Sequence, residues 1–323
     1  MLLLAFSYLV ILKVIGQFCG MKISISLVML FSLLPLWHFV PILTAELLSS
    51  VSYILLTGIL IKFGSGPISN LQFSSIVAIS VFAIYLKPNN ALLLLSVVLY
   101  LWCRGSNSRF KDASRYVIMV FLCLLPWLVF IQQNQSTWSL TTGSGINLLT
   151  GTGRDVVSDG TVLAQAAIGC AVADNFNPES ELASPDDLTY GQVNNLHQQT
   201  AIKLWKESFS NHVCFGFQKV LIAFGFKANS NWELVYGVIT VVTILVSLLS
   251  LGAMRLKAIG IYFLSFLFLL GILVFLFQAD RRFTAPFVLP MFMICSALAI
   301  DLFKLCLSSK FTFKEKFHEW RNH

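Results

Sequence analysis

The sequence predicts an all-α integral membrane protein, a polytopic helical bundle of about nine spans with one external domain of about 100 residues. Three observations predict it. The chain is 57% hydrophobic and only 11% charged, with a mean hydropathy of +0.79 over 323 residues, far from the composition of soluble domains. Apolar stretches near the ~20 residues that cross a bilayer recur along the chain, without the alternation of barrel strands. Lys and Arg gather in a few short loops, as they do on the cytoplasmic side of a membrane.

The apolar stretches fall at 2–18, 23–41, 47–63, 71–86, 91–103, 115–131, 232–254, 258–277 and 285–307. The first has no basic start and no small-residue cleavage site, and Lys13 interrupts its core. It therefore reads as a retained helix rather than a signal peptide. The fourth and fifth are short and meet at Lys87-Pro88-Asn89-Asn90, which predicts a tight helical hairpin or a pair partly sunk in the membrane. Residues 1–131 thus form an N-terminal membrane part, 132–231 an external domain, and 232–323 a C-terminal membrane part with a basic tail.

Sidedness follows from the basic loops. Arg104, Arg109, Lys111 and Arg115 share one, Arg255 and Lys257 another, and Lys310, Lys314, Lys316 and Arg321 the tail. One alternating path puts all three inside and the segment 132–231 outside, and that segment holds eight of the fifteen acids against five Lys or Arg. The net charge of +7 is then mostly an orientation signal, and no nucleic-acid partner is expected. The same path puts Lys62 and Lys22 inside, and Glu46, Lys87 and the chain start outside. An outside start without a leader points to helices preceding this chain.

Five of the seven cysteines lie in or beside predicted spans and read as apolar fillers. Cys170 and Cys214 both fall in the external segment, where an oxidising compartment lets cysteines pair. The sequence leaves open whether these two meet. The first half of the segment, "TTGSGINLLTGTGRDVVSDG", is rich in Gly and turn residues. It lacks the Lys-Ser/Thr ending and the strand-helix frame of a phosphate-binding loop. The second half has a helical pattern. "QQTAIKLWKESF" sets Ile202, Trp205 and Phe209 on one face, and "FGFQKVLIAFGF" reads as an amphipathic piece along the membrane surface, with Lys219 and Lys227 at the interface. A helix packed on the bundle fits that stretch equally well.

Ionisable groups at membrane depth are costly and are commonly functional or paired. The predicted path collects several at the outer face. Glu46, the first acid of the chain, stands where the third span begins, fit either to cap that helix after Thr44 or to meet a metal ion or substrate. Lys87 at the hairpin tip either snorkels to head groups or meets an anion. Arg281 and Arg282 stand outside against the charge bias and need a partner such as Asp280, an external acid or a bound phosphate. His38 reads as a bundle histidine.

Four stretches in order, "LPLWHFVPILTAELLS", "AIYLKPNNALLLL", "LLPWLVFIQQNQSTWSLTTGSGINLLTGTG" and "ADRRFTAPFVLP", carry a family likeness from about Leu33 to Leu302. The chain resembles the polytopic GT-C glycosyltransferases of the protein O-mannosyltransferase and aminoarabinose-transferase type. The likeness lies in an outward acid after a helix end, a basic-residue-Pro turn, a Pro-Trp exit leading to Ser-Gly-x-Asn-Leu-x-x-Gly, and an Arg-aromatic-x-x-Pro motif at Arg282, Phe283 and Pro286. Two departures stand out. Gln132-Gln133-Asn134 replaces the family's Arg-Asn, and the family's catalytic acid, in its first outer loop, is not found here. The chain is therefore expected to start at about the family's third or fourth helix, with a missing N-terminal half or a partner subunit supplying the rest.

The resemblance implies transfer of a sugar from a polyprenyl-phosphate carrier to a glycan, lipid or protein acceptor at the outer face of a bacterial plasma membrane. It implies Glu46 as the remaining acid for catalysis or for a divalent metal ion. Lys87, Arg281, Arg282 and Asn147 become the candidate substrate-binding residues. The alternative is a non-enzymatic membrane partner or carrier of polyprenyl-linked sugar in envelope glycan assembly. A small-solute transporter is disfavoured, because the spans hold no internal repeat and, apart from Lys13, almost no midplane charge.

Overall fold

A computed structural model gives the fold, and it describes residues 9, 11–13, 15–16, 45–63, 68–88, 90–104, 109–135, 138, 140, 144–152, 162–172, 188–227, 231–252, 256–277, 284, 287–300 and 302–303. All regular structure among them is α-helical. The helices are α1 (Ala45–Phe63), α2 (Asn70–Leu86), α3 (Asn90–Leu93), α4 (Leu95–Cys103), α5 (Arg109–Gln135), α6 (Ser144–Thr150), α7 (Val162–Gly169), α8 (Tyr190–Glu207), α9 (Phe209–Ala223), α10 (Asn231–Leu251) and α11 (Lys257–Leu276). A last apolar helix, α12, runs Phe287–Ile300.

Three helices are long and apolar enough to cross a membrane: Phe110–Gln135 in α5, Glu233–Leu251 in α10 and Lys257–Leu276 in α11. Shorter apolar helices occupy Val51–Ile61, Asn70–Leu86, Asn90–Cys103 and Phe287–Ile300. Among the described residues three helices thus have the length and apolarity of full membrane spans, as a helical membrane protein requires. The expected second span, 23–41, lies outside the described residues, and only helical pieces around Ile11 and Ile15 represent the first.

Contacts between helix ends fix their directions. The Arg115 guanidinium donates to Asn70 Oδ1 (3.3 Å) and sits 4.4 Å from the Phe73 ring, joining the starts of α2 and α5. At the far ends the Tyr85 hydroxyl donates to Cys123 O (3.2 Å), and its ring meets Trp127 edge-on. Those two helices therefore run parallel, as two spans rising from the same side must. The hairpin at Lys87 turns as tightly as expected, but its arms then part: α2 packs on α1 and α5, while α4 packs on α11 and α5. Helix α5 extends beyond the expected span at both ends and carries Pro126 inside it.

The bundle core is aromatic with hydroxyl locks. Tyr53 packs edge-on against Phe266 (4.8 Å) and Phe287 (5.4 Å). Buried hydroxyls find partners within it: Tyr116 donates to Ser80 Oγ (2.8 Å), Tyr100 to Leu60 O (2.5 Å), and the Thr57 and Tyr262 hydroxyls meet at 3.2 Å. Thr243, Ser247 and Ser250 each donate to the carbonyl four residues back, which lets hydroxyl residues sit in a buried helix without an orphaned group.

The segment 132–231 departs from expectation in two ways. Its Gly-rich half contains the helices α6 and α7. On α8, the buried face is Gly191, Asn194, His197, Ala201 and Leu204 rather than the expected Ile202-Trp205-Phe209 stripe; Ile202 and Phe209 are exposed. The cause is close approach. A Cβ on Gly145 of α6 would collide with the Asn194 carbonyl of α8, and a Cβ on Gly191 of α8 with the Gln135 carbonyl of α5. Small residues let these backbones meet, so the contact carries no apolar stripe.

Candidate functional site at one end of the bundle

Helix α2 ends at Lys87, whose backbone N–H donates to Ala83 O (3.1 Å) while its carbonyl accepts from the Asn90 N–H (2.8 Å). The Lys87 side chain is half-buried. Asn90 is almost fully buried, and its amide donates to Ala83 O (2.8 Å) and to Ser49 Oγ (2.9 Å). Its carbonyl accepts from the Tyr53 hydroxyl (3.1 Å). Ser49 is three residues, just under one helical turn, after Glu46 in the first turn of α1. The turn carrying Lys87 is therefore stitched to the end of α1 that carries Glu46. The Glu46 side chain lies outside the described residues.

A third strand of the chain comes to the same end. Phe287, which opens α12, packs on Tyr53 and Phe266. Thr284 is buried; its hydroxyl donates to Ala223 O (2.6 Å) at the end of α9 and accepts from the Tyr236 hydroxyl (2.9 Å) on α10. Phe277, at the C-terminus of α11, is held through its carbonyl by Lys219. Both flanks of "ADRRF" are thus anchored, while Arg281 and Arg282 themselves lie outside the described residues.

Lys219 decides between the two readings of its stretch in favour of a helix packed on the bundle. It is 1% exposed rather than at the membrane interface. Its ammonium donates to Gly151 O (2.6 Å) and Phe277 O (2.7 Å) and lies 5.4 Å from the Phe215 ring. Burial pushes its pKa from 10.5 down to about 7. A single side chain so joins α9, the end of the Gly-rich stretch and the end of α11. Gly151 permits this, because a Cβ there would lie 2.9 Å from Phe277 O and closer still to the Leu276 carbonyl. The signal in the sequence was a lone lysine inside the apolar run "FGFQKVLIAFGF", which fits a buried cation with built-in acceptors as well as an amphipathic face.

Asn147 stands on α6 with its side chain exposed, and its carbonyl accepts from the Gly151 N–H (3.1 Å) and the Thr150 hydroxyl (3.1 Å). The Gly145 N–H at the start of α6 donates to Asn194 Oδ1 (2.6 Å). These glycines serve close packing, and that amide is engaged by the protein. Cys170 and Cys214 form a disulfide with a Cα–Cα distance of 5.8 Å, tying the end of α7 to α9. His197, buried on α8, has its pKa lowered by desolvation. Among the described residues no three His, Cys, Asp or Glu side chains converge on a common point.

No family model, curated protein or solved structure matches the chain.

Proposed function

We propose that the chain acts as a membrane glycosyltransferase that moves a sugar from a polyprenyl-phosphate carrier to an acceptor on the outer face of the plasma membrane. One observation carries the reading furthest. The Glu46 end of α1, the Lys87 turn and both flanks of the Arg281-Arg282 stretch meet at one end of the bundle. Those are the groups that the resemblance to GT-C enzymes assigns to one site. In this reading the chain crosses the bilayer about nine times, residues 132–231 cover the site from outside, and a bacterial inner membrane is the setting.

The reaction is a displacement at the anomeric carbon with inversion. An acceptor hydroxyl or amide forms the new bond to carbon, the bond from carbon to phosphate oxygen breaks, and the carrier leaves as its phosphate. Such a step needs a carboxylate near the acceptor and cationic charge on the leaving phosphate. Glu46 serves the first need or holds a divalent ion. Arg281 and Arg282 serve the second through bidentate contacts, and Lys87 through a point charge. Asn147 on α6 contacts the sugar or acceptor. No step in this reaction runs through a metal.

The test uses the full chain reconstituted in vesicles. Polyprenyl phosphate is titrated against the wild type and Arg282→Ala, followed by transfer of radiolabelled sugar from the loaded carrier. Binding that Arg282→Ala abolishes supports the site; equal binding by both proteins overturns it. Binding without transfer assigns the chain to the non-enzymatic carriers or partners of such enzymes.

A further inference from the structure

Between α9, α10 and α11 lies a groove of about 520 Å³ that the candidate site does not use. Its volume falls in the ~300–1,000 Å³ range of ligand pockets. Phe217 and Phe226 roof it from α9 and the turn that follows, Ile244 stands on the α10 wall, and Phe268 and Phe275 on the α11 wall. Both walls are helices of membrane-crossing length, so the groove opens sideways into hydrocarbon. Phe217 (62% exposed) and Phe268 (70%) flank it.

The lining says what kind of molecule fits. Thr240 is its one hydroxyl residue, and that hydroxyl already donates to Phe224 O (3.2 Å) and Tyr236 O (3.1 Å). With its one hydroxyl proton engaged, the groove offers a ligand almost entirely apolar contact and no free donor. A polar metabolite would be stranded there, whereas a hydrocarbon chain loses nothing. Gly271 keeps the space open: a Cβ at that position would meet only Phe224 Cε2, at 3.9 Å. Where α9 ends, Gly225 takes a φ of +79° and the Phe226 and Lys227 N–H groups both turn back to Leu221 O (2.8 and 3.2 Å). That reversal brings Phe226 into the lining, and the half-buried Lys227 follows it directly in the chain. The Lys227 ammonium donates to Gln218 Oε1 at 3.4 Å.

We propose that this groove binds one acyl chain of an anionic glycerophospholipid, with the lipid phosphate at Lys227. With no free donor in the lining to select a rarer isoprenoid, mass action fills the groove with the most abundant chain of the bilayer. Lys227 then favours an anionic head group. This site is independent of the transferase reading and uses none of its residues.

The test measures retained lipid. The full chain is reconstituted with equal amounts of phosphatidylglycerol and phosphatidylcholine, extracted in mild detergent and weighed by native mass spectrometry. Wild type is expected to keep one phospholipid, mostly phosphatidylglycerol. In Gly271→Leu the added side chain displaces two or more methylenes of the bound chain, so retention should fall about tenfold or more. Equal retention by both proteins overturns the site, and so does a wild type that keeps only detergent or no lipid. Should Gly271→Leu not fold, Lys227→Gln carries the test, with loss of the phosphatidylglycerol preference expected and an unchanged preference overturning the assignment.

Discussion

At the scale of single residues, Lys219 shows how one buried cation can set a pH dependence. Both of its acceptors are backbone carbonyls, and a neutral amine has two N–H groups with which to keep both bonds. Deprotonation therefore removes the desolvation penalty and leaves the latch closed. Among the described residues no ion pair involves Lys219, and the Phe215 ring lies 5.4 Å from its ammonium. The folded-state pKa of about 7 lies below the ordinary 10.5, so between these values the unfolded chain binds the extra proton. Stability then rises with pH across that window, by at most ~1.4 kcal/mol per unit, and is lost again as pH falls toward 7. Thermal unfolding in detergent should show this rise from pH 7 to 10 in the wild type. Lys219→Met should flatten it and lower stability at pH 10, because two buried carbonyls lose their donor at about 1–3 kcal/mol each. A wild-type midpoint that does not move with pH would remove Lys219 from this role.

Between whole elements, the decisive contacts are made by residues with little or no side chain. Gly225 ends α9 with a positive φ, and a Cβ there would come within 2.6 Å of Gly237 N and 2.7 Å of Glu233 O. Gly237 reciprocates, since its own Cβ would meet Gly225 O at 2.5 Å. This close approach sets the turn after α9 against α10 and aligns Thr240 with Phe224 O. Gly237→Leu should push the turn after α9 off α10 and destabilise the protein by about 1–3 kcal/mol, and Gly225→Ala should cost roughly 1–3 kcal/mol through strain and overlap. Unfolding midpoints unchanged in both variants would show that this approach does not hold α9. The same physics decides what was legible in the sequence. The helices α1, α2, α10 and α11 are visible because their apolar runs alone specify them. The α6–α8 contact is not, because Gly145, Asn194 and Ala201 leave no periodic apolar signal. Of the site, the sequence supplies Glu46, Lys87 and the arginine pair as polar marks at helix ends. It hides Asn90, which reads as a turn residue and proves to be the buried bolt between the Lys87 turn and α1. Lys219 is hidden for a related reason: periodicity reports a face, and cannot tell a surface lysine from one met by two carbonyls from distant parts of the chain.

For the molecule as a whole, the charge pattern and the contacts make a single statement about sidedness. Arg115 with Asn70 marks one end of the bundle, and Asn90 with Ser49 and Thr284 with Ala223 mark the other. Arg104, just after α4, and Arg109, which opens α5, flank the first basic loop at the first end, and the segment 132–231 carries the disulfide between Cys170 and Cys214. A disulfide persists in an oxidising compartment and is reduced in the cytoplasm, so the bond between Cys170 and Cys214 and the positive-inside rule independently point the same way. Cysteine accessibility in intact cells checks this. Asn147→Cys on α6 and Tyr190→Cys on α8, both exposed, should react with a membrane-impermeant maleimide from outside. Asn70→Cys and Lys111→Cys, exposed near the opposite end, should react only after permeabilisation. Cys170 and Cys214 should stay unlabelled until a reductant is added. Labelling of Asn70→Cys before permeabilisation would invert the chain. Glu46, Lys87 and the arginine pair would then face the cytoplasm, where the charge bias that made Arg281 and Arg282 conspicuous no longer applies, and the case for a carrier phosphate held by them would lose its physical basis.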